Sequence, residues 1–279
     1  EGVGEVAALG NGVDTVKLGD RVAVHFYQSC GACRMCLSGL DGVCLEGERI
    51  GVTVWGAYAE YVKCEAANLI ALPDELGFED AAASLICFST VWHMMVTLGR
   101  VRAGEDVLVN AAGSGIGTSA IQLAKLHGAR VIASAGSDAK LARARQLGAD
   151  ATINYTTENL KDAAIRETGG KGPDLVIESV GGAVLADSIG AVCRNGRVIT
   201  CGAHAGEQVE LDIIEIFRKH VMVHGSHYAS KREVAHVFRL IAAGKLAPVI
   251  DARLPLGQVR QAAERTAKRD VFGKLVLLP

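Results

Sequence analysis

Residues 107–128 read VLVNAAGSGIGTSAIQLAKLHG and combine the signals for a strand, a tight turn and a helix. The apolar run Val107–Val109 suits a short strand that is buried on both faces of a sheet. The small residues after it lead into an apolar stripe with helical spacing from Ile121 onward, and Gly128 stands where a helix would end. The stretch therefore predicts one strand, turn and helix of an α/β fold.

The turn in this stretch suits the pyrophosphate of a dinucleotide. Small residues let the backbone approach the phosphates, and the free N–H groups and positive dipole end of the new helix favour their charge. The fingerprint G-x-G-x-x-G is imperfect, because ending it on Gly117 puts Ala112 and Ser114 at the first two glycine positions. An ordinary strand-to-helix turn is the alternative, but the strand before and the helix after favour a cofactor site. The predicted contacts come from Ala112, Gly113, Ser114, Gly115, Ile116 and Gly117.

The next strand-like run, residues 129–135, bears on the choice between NAD and NADP. An NAD-binding fold usually places Asp or Glu at the end of this strand to hold the ribose 2′-hydroxyl, whereas this chain continues as Ala-Gly-Ser. Ser137, Lys140, Arg143 and Arg145 supply a donor and positive charge nearby, which favours NADP. The alternative is that the basic residues form the solvated face of a helix, and we prefer that interpretation for Arg143 and Arg145.

The composition describes a chain with a core and no strongly charged surface. It has 279 residues, of which 49% are hydrophobic and 22% charged, and a formal net charge of −2. Lys and Arg are scattered, and no apolar run reaches transmembrane length, so nothing favours nucleic acid or a membrane as a partner. No signal-peptide pattern opens the sequence. We therefore expect a soluble, cytoplasmic protein.

Cys30, Cys33, Cys36 and Cys44 form a C-x2-C-x2-C-x7-C cluster with glycines between them. Four thiolates from one loop can close a tetrahedron around Zn²⁺, and a closed shell leaves no position for a substrate, so such a zinc is structural. An iron–sulfur cluster is the rival, since ferredoxin-like runs have similar spacing. Four of the eight cysteines lie in this cluster and the others are spread singly, which is typical of a metal site in a reducing compartment rather than of disulfides.

Strand and helix patterns alternate after the central turn and predict a doubly wound parallel sheet. A helical pattern covers Glu233–Ala243 and ends at Gly244. The strand-like runs are 151–155, 174–179, 196–202 and 221–226.

The two ends of the chain differ from the middle because they carry short β patterns. One lies at the start of the sequence and another at 58–72, where Pro73 marks a boundary. From Pro248 the segments LPLGQV and FGKLVLLP again read as β structure. Between the first β region and the central turn, Phe78–Leu98 reads as one helix.

Together these motifs resemble the medium-chain dehydrogenase/reductase family, in the branch of the zinc-containing alcohol dehydrogenases and their quinone reductase relatives. The resemblance covers nearly the whole chain. It is carried by the four-cysteine loop, by residues 108–155, by SVGG at 179–182 and by the closing FGKLVLLP.

The resemblance implies a Rossmann domain inserted into a β-rich, barrel-like domain of the GroES type. The catalytic domain would comprise residues 1–74 and 248–279, with a zinc lobe at 28–48 that contains the four cysteine ligands. The dinucleotide-binding domain would comprise residues 75–247.

The resemblance also implies roles for single residues. Thr90 falls where the family contacts the nicotinamide half of the cofactor, and it is the one residue that we assign to the catalytic centre. Ser137 and Lys140 would lie at the adenosine phosphate, with Tyr155 packed near it. The stretches that line the cofactor less specifically contain Gly202, Gly225, Ser226 and Lys274.

The catalytic zinc of the family is where this chain departs from the pattern. Its ligands are an early Cys, a His just before a Glu, and a Cys ahead of a Phe-Ser-Thr stretch. Glu1 resembles that Glu, so we expect an N-terminally incomplete catalytic domain. Cys87 lies one position nearer to Phe-Ser-Thr than the family ligand, with Ile86 in the expected place, and one residue on a helix turns a side chain by about 100°. The sequence therefore does not decide whether the protein binds a catalytic zinc.

The first functional hypothesis is an NADP(H)-dependent oxidoreductase of the alcohol dehydrogenase type, which transfers hydride between the nicotinamide and a small alcohol or carbonyl. The alternative within the family is a quinone or enone reductase without catalytic zinc, in which hydrogen bonds stabilise the developing oxyanion. A hypothesis from another class is a zinc-stapled NADPH-binding protein without turnover, and this chain alone is a candidate for it. We also expect a homo-oligomer, either a dimer or a tetramer.

Overall fold

The computed structural model describes residues 1–279, and the chain forms two compact units. The central unit is Thr90–Ser226, and the terminal unit combines Glu1–Ser89 with His227–Pro279. The strands are β1 (Gly2–Glu5), β2 (Arg21–Val24), β3 (Tyr27–Gln28), β4 (Glu48–Arg49), β5 (Leu69–Ala71), β6 (Asp106–Val109), β7 (Arg130–Ala135), β8 (Ala151–Asn154), β9 (Leu175–Glu178), β10 (Arg197–Thr200), β11 (Met222–Gly225), β12 (Ile250–Pro255) and β13 (Lys274–Leu278). The α-helices are α1 (Arg34–Leu37), α2 (Phe78–Ser84), α3 (Cys87–Trp92), α4 (Gly115–Leu126), α5 (Asp138–Gln146), α6 (Leu160–Glu167), α7 (Gly182–Ala191), α8 (Ile213–Lys219), α9 (Lys231–Ala242) and α10 (Val259–Ala267).

The central unit is built on a six-stranded sheet in the order β11-β10-β9-β6-β7-β8, and every neighbouring pair is parallel. Strands such as Val107–Val109 consist of buried apolar residues, as expected where crossover helices cover both faces of a sheet. The sheet confirms the predicted doubly wound fold. One core cluster comprises Leu108, Ile132, Ile153, Leu160, Ala163, Ala164, Val176, Ile189, Ala191, Val192 and Val198.

The strand order of this sheet reverses between β6 and β9. The chain runs from β6 to β7 and β8 on one side, and then returns to place β9, β10 and β11 on the other. In doubly wound sheets the ligand crevice lies outside the carboxyl ends of the strands at such a reversal. Val109 and Glu178, which end β6 and β9, therefore mark the place where a dinucleotide is expected.

The terminal unit contains three small sheets. An antiparallel sheet has the order β1-β2-β5, β3 pairs with β4 in antiparallel fashion, and β12 pairs with β13 in parallel. Helix α2 packs against β1 and β13, and α9 packs against β5. For this reason residues 75–89 and 227–247 belong to the terminal unit, which differs from the domain limits that we predicted at 74 and 248.

The single helix predicted over Phe78–Leu98 is broken in the structure. Helix α2 ends at Ser84 and α3 begins at Cys87, and the segment continues as a π-helix, His93–Leu98. At the break the N–H of Ile86 donates to Oε1 of Glu1 at 3.1 Å, so it does not continue the helical ladder. A contact over 85 residues of sequence is invisible to a local helix pattern.

Several predicted β limits and one predicted helix limit also need correction. Within 58–72 only Leu69–Ala71 is a strand, since its partner β2 offers three paired positions. Most of LPLGQV is not β structure, because β12 ends at Pro255 and a 3-10 turn leads into α10, which the sequence reasoning missed. Helix α9 starts at Lys231, two residues before the predicted start, because Ser230 and Glu233 form a capping box.

No single helix of the structure is long and apolar enough to cross a membrane. Only the bent pair Phe78–Ser84 and Cys87–Leu98 meets the length and composition requirement when the two helices are taken together.

The core position of Leu108 yields a stability prediction. Its side chain is 0% exposed in the middle of β6, so Leu108→Ala leaves a cavity and should lower the free energy of unfolding by about 2–5 kcal/mol. The matched control is Leu126→Ala at the end of α4, where the side chain is 42% exposed and the change should stay near about 0.5 kcal/mol. Urea denaturation followed by circular dichroism measures both. Equal effects of the two substitutions would contradict the assigned core.

Candidate functional site

The four clustered cysteines converge on one point of the terminal unit. Their sulfur atoms all lie within 4.8 Å of one another. The Sγ–Sγ distances are 3.6 Å from Cys33 to Cys36, 3.8 Å from Cys33 to Cys44 and 3.5 Å from Cys30 to Cys44. A tetrahedron with Zn–S bonds of about 2.3 Å has sulfur-to-sulfur edges of about 3.8 Å. The donor set therefore fits a tetrahedral zinc with a closed shell.

Backbone N–H groups surround these sulfur atoms. The N–H groups of Ala32 and Cys33 donate to Sγ of Cys30 at 3.4 and 3.3 Å, and that of Cys30 donates to Sγ of Cys44 at 3.3 Å. The first two bonds lower the pKa of the Cys30 thiol, and the backbone N–H of Cys36 lowers the pKa of Cys33 to about 6. These N–H groups thus stabilise the thiolates of Cys30 and Cys33, which are the form that binds zinc, whereas burial and the contact with Cys44 raise the pKa of the Cys36 thiol to about 12.

The cofactor turn of the central unit depends on two backbone features. Ala111 has a φ of 51°, which turns the chain sharply after β6. Gly117 has no room for a side chain, because an added Cβ would lie 2.3 Å from the carbonyl oxygen of Ala111 and 2.6 Å from Cα of Ala112. Gly117 therefore allows α4 to start directly against the turn, as the third glycine of a dinucleotide fingerprint does.

Ser114 closes the first turn of α4. It is the N-cap residue, and its Oγ accepts a hydrogen bond from the N–H of Gly117 at 2.9 Å. Gly128 follows the end of the helix with a φ of 73°, which confirms its predicted role. The N-terminus of a full helix thus lies at the carboxyl end of β6, where the strand order reverses and where an anion is favoured.

Asn110 supports this turn and was missed by the sequence reasoning. It is buried at the end of β6, where its Oδ1 accepts a hydrogen bond from Oγ of Ser134 at 3.0 Å. Its Nδ2 donates to Oγ of Ser188 at 2.8 Å. The chain of bonds links β7, β6 and α7. The signal that the sequence offered for this role was an amide side chain directly after the apolar run of a strand.

The predicted adenosine side of the site lies after β7. Ser137 is the N-cap of α5, and its Oγ accepts a hydrogen bond from the N–H of Lys140 at 3.4 Å. Tyr155 packs over Gly136, because a Cβ added to that glycine would lie 2.8 Å from the tyrosine hydroxyl. The structure thus brings the predicted residues Ser137, Lys140 and Tyr155 to one end of one strand.

Other residues near this end have different partners. Arg143 and Arg145 are exposed, and Arg145 donates to the hydroxyl of Thr152, which supports their interpretation as a solvated helix face. Asp138 is a carboxylate that the sequence reasoning did not consider. Its Oδ1 accepts a hydrogen bond from Nδ2 of Asn154 at 2.7 Å.

The other predicted cofactor residues of the central unit lie just after β10 and at the end of β11. Gly202 is in close backbone contact, since an added Cβ would lie 2.6 Å from the carbonyl oxygen of Ser179, whereas Gly225 has open space around it. Ser226 is buried, yet its hydroxyl has no hydrogen-bond partner. A buried hydroxyl without a partner is unusual, and a bound group with a polar atom would satisfy it. The site therefore fits a dinucleotide.

The remaining predicted residues lie on either side of the division between the two units. Thr90 is buried in α3 and belongs to the central unit. Lys274 belongs to the terminal unit, where its Nζ forms an ion pair with Glu1 and its charge acts on the thiol of Cys87. The contact of Lys274 with a cofactor stays a prediction.

The side chains of Glu1, Cys87 and Lys274 form a second polar group in the terminal unit. Burial raises the pKa of the Cys87 thiol to about 11 despite the opposing effect of the Lys274 ammonium. Burial also disfavours ionisation of Glu1, but the ammonium of Lys274, the terminal amino group and the backbone N–H of Ile86 together outweigh it and lower the pKa of that carboxyl. The four-cysteine cluster is the one group of three or more converging His, Cys, Asp or Glu side chains in this chain.

Two known protein families match this chain. Residues 1–74 match the alcohol dehydrogenase GroES-like domain, and residues 115–243 match the zinc-binding dehydrogenase domain. Among curated proteins, an alcohol dehydrogenase of Geobacillus stearothermophilus is 31% identical over 280 residues, which cover 99% of this chain and 81% of the relative. The chain belongs to the zinc-containing alcohol dehydrogenase family of the medium-chain dehydrogenases/reductases.

Solved structures of relatives share the fold of this family member. A crystal structure of an NAD-dependent alcohol dehydrogenase has 42% identity and a TM-score of 0.93, covering 99% of this chain and 81% of the other. A 2-octenoyl-CoA carboxylase reductase in complex with NADP and 2-octenoyl-CoA has 29% identity and a TM-score of 0.91, covering 99% of this chain and 66% of the other. The dehydrogenase is thus an NAD(P)-dependent oxidoreductase with zinc and a nicotinamide dinucleotide as cofactors.

The cysteine cluster predicts how the dehydrogenase responds to loss of one sulfur ligand. We expect the wild type to hold about one zinc at this cluster, and Cys36→Ser to lose it, because the metal supplies much of the folding energy of a lobe whose Leu37 is 77% exposed. Limited proteolysis should then cut within residues 28–48 while cofactor binding persists. Cys64→Ser, outside the cluster, is the control. Undiminished zinc in Cys36→Ser, or a brown protein with visible absorption, would contradict the zinc assignment.

The contact at Gly117 predicts a loss of cofactor affinity. Gly117→Ala puts a methyl group against main-chain atoms that cannot give way, so the turn must shift at a cost of about 1–3 kcal/mol. We expect the affinity for NADPH to fall by about tenfold, measured by titration of cofactor fluorescence. Gly257→Ala, where the added Cβ meets no atom within 4 Å, should leave the affinity unchanged. Unaltered binding by Gly117→Ala would place the pyrophosphate elsewhere.

Proposed function

We propose that this dehydrogenase uses NADP(H) and transfers hydride between the nicotinamide and a small alcohol or carbonyl compound. The observation that carries the choice of cofactor is the end of β7, where the strand closes on Ala135 and no carboxylate occupies the position that would hold a ribose 2′-hydroxyl. Ser137 and Lys140 instead offer a hydroxyl and an ammonium at the start of α5. A 2′-phosphate would gain a charge-assisted contact there.

The residues of the central unit have distinct tasks in this proposal. The turn from Ala111 to Gly117 and the first N–H groups of α4 bind the pyrophosphate, and Ser114 fixes their orientation. The hydroxyl of Ser226 hydrogen-bonds a polar atom of the cofactor, and Thr90 contacts the nicotinamide half. Aligning the nicotinamide with the substrate is what the protein contributes, whereas the hydride chemistry belongs to the cofactor.

A second candidate is the reduction of an enone or a quinone without a catalytic zinc. It is favoured by the position of Lys274, because its ammonium occupies the neighbourhood of Cys87, the one cysteine near the family position of a zinc ligand. In that case, hydrogen-bond donors would stabilise the developing oxyanion.

Metal counting and substrate screening separate the two candidates. The alcohol dehydrogenase proposal expects about two zinc ions per chain in the purified enzyme, and turnover of alcohols or aldehydes. The reductase candidate expects about one zinc per chain, and turnover of enones or quinones. Plasma emission spectrometry gives the metal content, and NADPH oxidation followed at its absorption band gives the turnover.

We also propose a cytoplasmic homo-oligomer, either a dimer or a tetramer. All eight cysteines are free, as expected in a reducing compartment. Strand β11 is an edge of the central sheet, and its apolar residues Met222 and Val223 are exposed. Natural proteins usually cover such an edge, and a second copy of the chain would do so. Light scattering during size-exclusion chromatography tests the proposal, and a monomer would contradict it.

The cofactor proposal predicts that NADPH binds more tightly than NADH. It also predicts that Lys140→Ala reduces this gap in affinity between the two nucleotides. One charge-assisted contact to a phosphate is worth about 1.5–3 kcal/mol, which corresponds to about tenfold to a hundredfold in affinity. Fluorescence titration with both nucleotides measures the gap. The control is Arg145→Ala on the same helix, whose guanidinium donates to Thr152 and which should leave the gap unchanged.

Equal affinities for NADPH and NADH in the wild type would contradict the assignment of NADP(H). A preference that survives Lys140→Ala would show that another residue holds the 2′-phosphate.

A further inference from the structure

Glu178 is a carboxylate buried at the carboxyl edge of the central sheet. It is the last residue of β9, one of the two strands at the reversal of strand order, and its side chain is 0% exposed. Removing a carboxylate from water is costly unless hydrogen bonds satisfy its oxygens. The contacts of Glu178 therefore show which parts of the fold the buried carboxylate holds in place.

Three donors satisfy the two carboxylate oxygens. The backbone N–H groups of Val180 and Gly181 donate to Oε1 at 2.5 and 2.9 Å, and the hydroxyl of Thr200 donates to Oε2 at 2.8 Å. No Lys, Arg or His side chain pairs with the carboxylate, so hydrogen bonds alone hold it. One oxygen thus fixes the turn after β9, and the other holds the end of β10.

The two loops that Glu178 joins also touch each other backbone to backbone. A Cβ added to Gly181 would lie 2.5 Å from the carbonyl oxygen of Gly206, and one added to Gly202 would lie 2.6 Å from that of Ser179. Contacts between main-chain atoms leave no side chain that could absorb a displacement. A rotation of the turn after β9 must therefore move the loop after β10.

We propose that Glu178 is a positioning residue for the nicotinamide nucleotide, an inference that rests on the proposed function. A doubly wound sheet has two mononucleotide-binding halves, and the end of β7 belongs to the half that takes the adenosine ribose. Strands β9 and β10 belong to the other half. The loops that Glu178 ties together therefore receive the nicotinamide nucleotide, and Glu178 sets their geometry without touching the cofactor itself.

Glu178→Gln tests this role because it keeps the shape of the side chain and replaces one acceptor oxygen by an NH2 group. That NH2 group must face an N–H or O–H donor, so a hydrogen bond is lost there. The loop that this bond held is then no longer fixed. We expect the Kd of NADPH to rise by about tenfold, the effect of losing one charge-assisted hydrogen bond. The Kd of 2′,5′-ADP, which carries only the adenosine half, should not change. Isothermal titration calorimetry measures both constants.

Asp150→Asn is the matched control. Asp150 also accepts a backbone hydrogen bond, from the N–H of Val131 at 2.7 Å, but it precedes β8 at the amino edge of the sheet. We expect this variant to be less stable and to bind both ligands as the wild type does. Thr200→Val removes only the hydroxyl donor to Oε2 and should weaken NADPH binding by a smaller factor, again without an effect on 2′,5′-ADP.

The two ligands separate positioning from a general structural effect. If Glu178→Gln weakens both ligands equally, or neither, the positioning role is overturned. If Glu178→Gln does not fold, Thr200→Val decides in the same way. A wild type that binds neither NADPH nor NADH would contradict the proposed function itself. If the wild type prefers NADH, the same comparison is made with NADH and ADP-ribose in place of NADPH and 2′,5′-ADP.

Discussion

The close approach of α4 to the turn after β6 is the constraint on which the dinucleotide unit depends. Gly117 has main-chain atoms of Ala111 and Ala112 where a side chain would be, so the helix begins directly above the end of the strand. Ser114 can then cap the helix, and the free N–H groups of its first turn face the crevice at the reversal of strand order. A single missing Cβ thus couples the geometry of the fold to the place where an anion is favoured.

The parts of this structure that the sequence predicted are those with local signals. A buried parallel strand is a short apolar run, and a helix repeats its apolar residues every three or four positions, so the alternation after residue 107 was sufficient for the doubly wound sheet. The spacing of Cys30 to Cys44 likewise places four sulfur atoms on one short loop. A loop of this length allows all four to reach one point. Resemblance to a family added the terminal unit, whose short strands carry weaker patterns.

The parts that the sequence did not predict depend on contacts between distant residues. Glu1 interrupts a helix at Ile86, and nothing near Ile86 in the sequence announces it. Asn110 and Glu178 look like the polar ends of apolar runs, and only the assembled sheet shows that one links three elements and the other joins two loops. Polar residues at strand ends therefore need the topology before they can be given a role.

The two candidate sites differ in how they obtain their rigidity, and this difference bears on the chemistry. The cysteine loop has exposed apolar residues and little core of its own, so its order must come largely from the metal that it binds. The dinucleotide crevice is ordered by the protein through close backbone contacts at Gly117, Gly181 and Gly202 and through buried hydrogen bonds. Hydride transfer requires the nicotinamide and the substrate to be held in near-contact geometry. A crevice set by main-chain contacts leaves little loop entropy to be lost when a cofactor binds, which favours such a geometry.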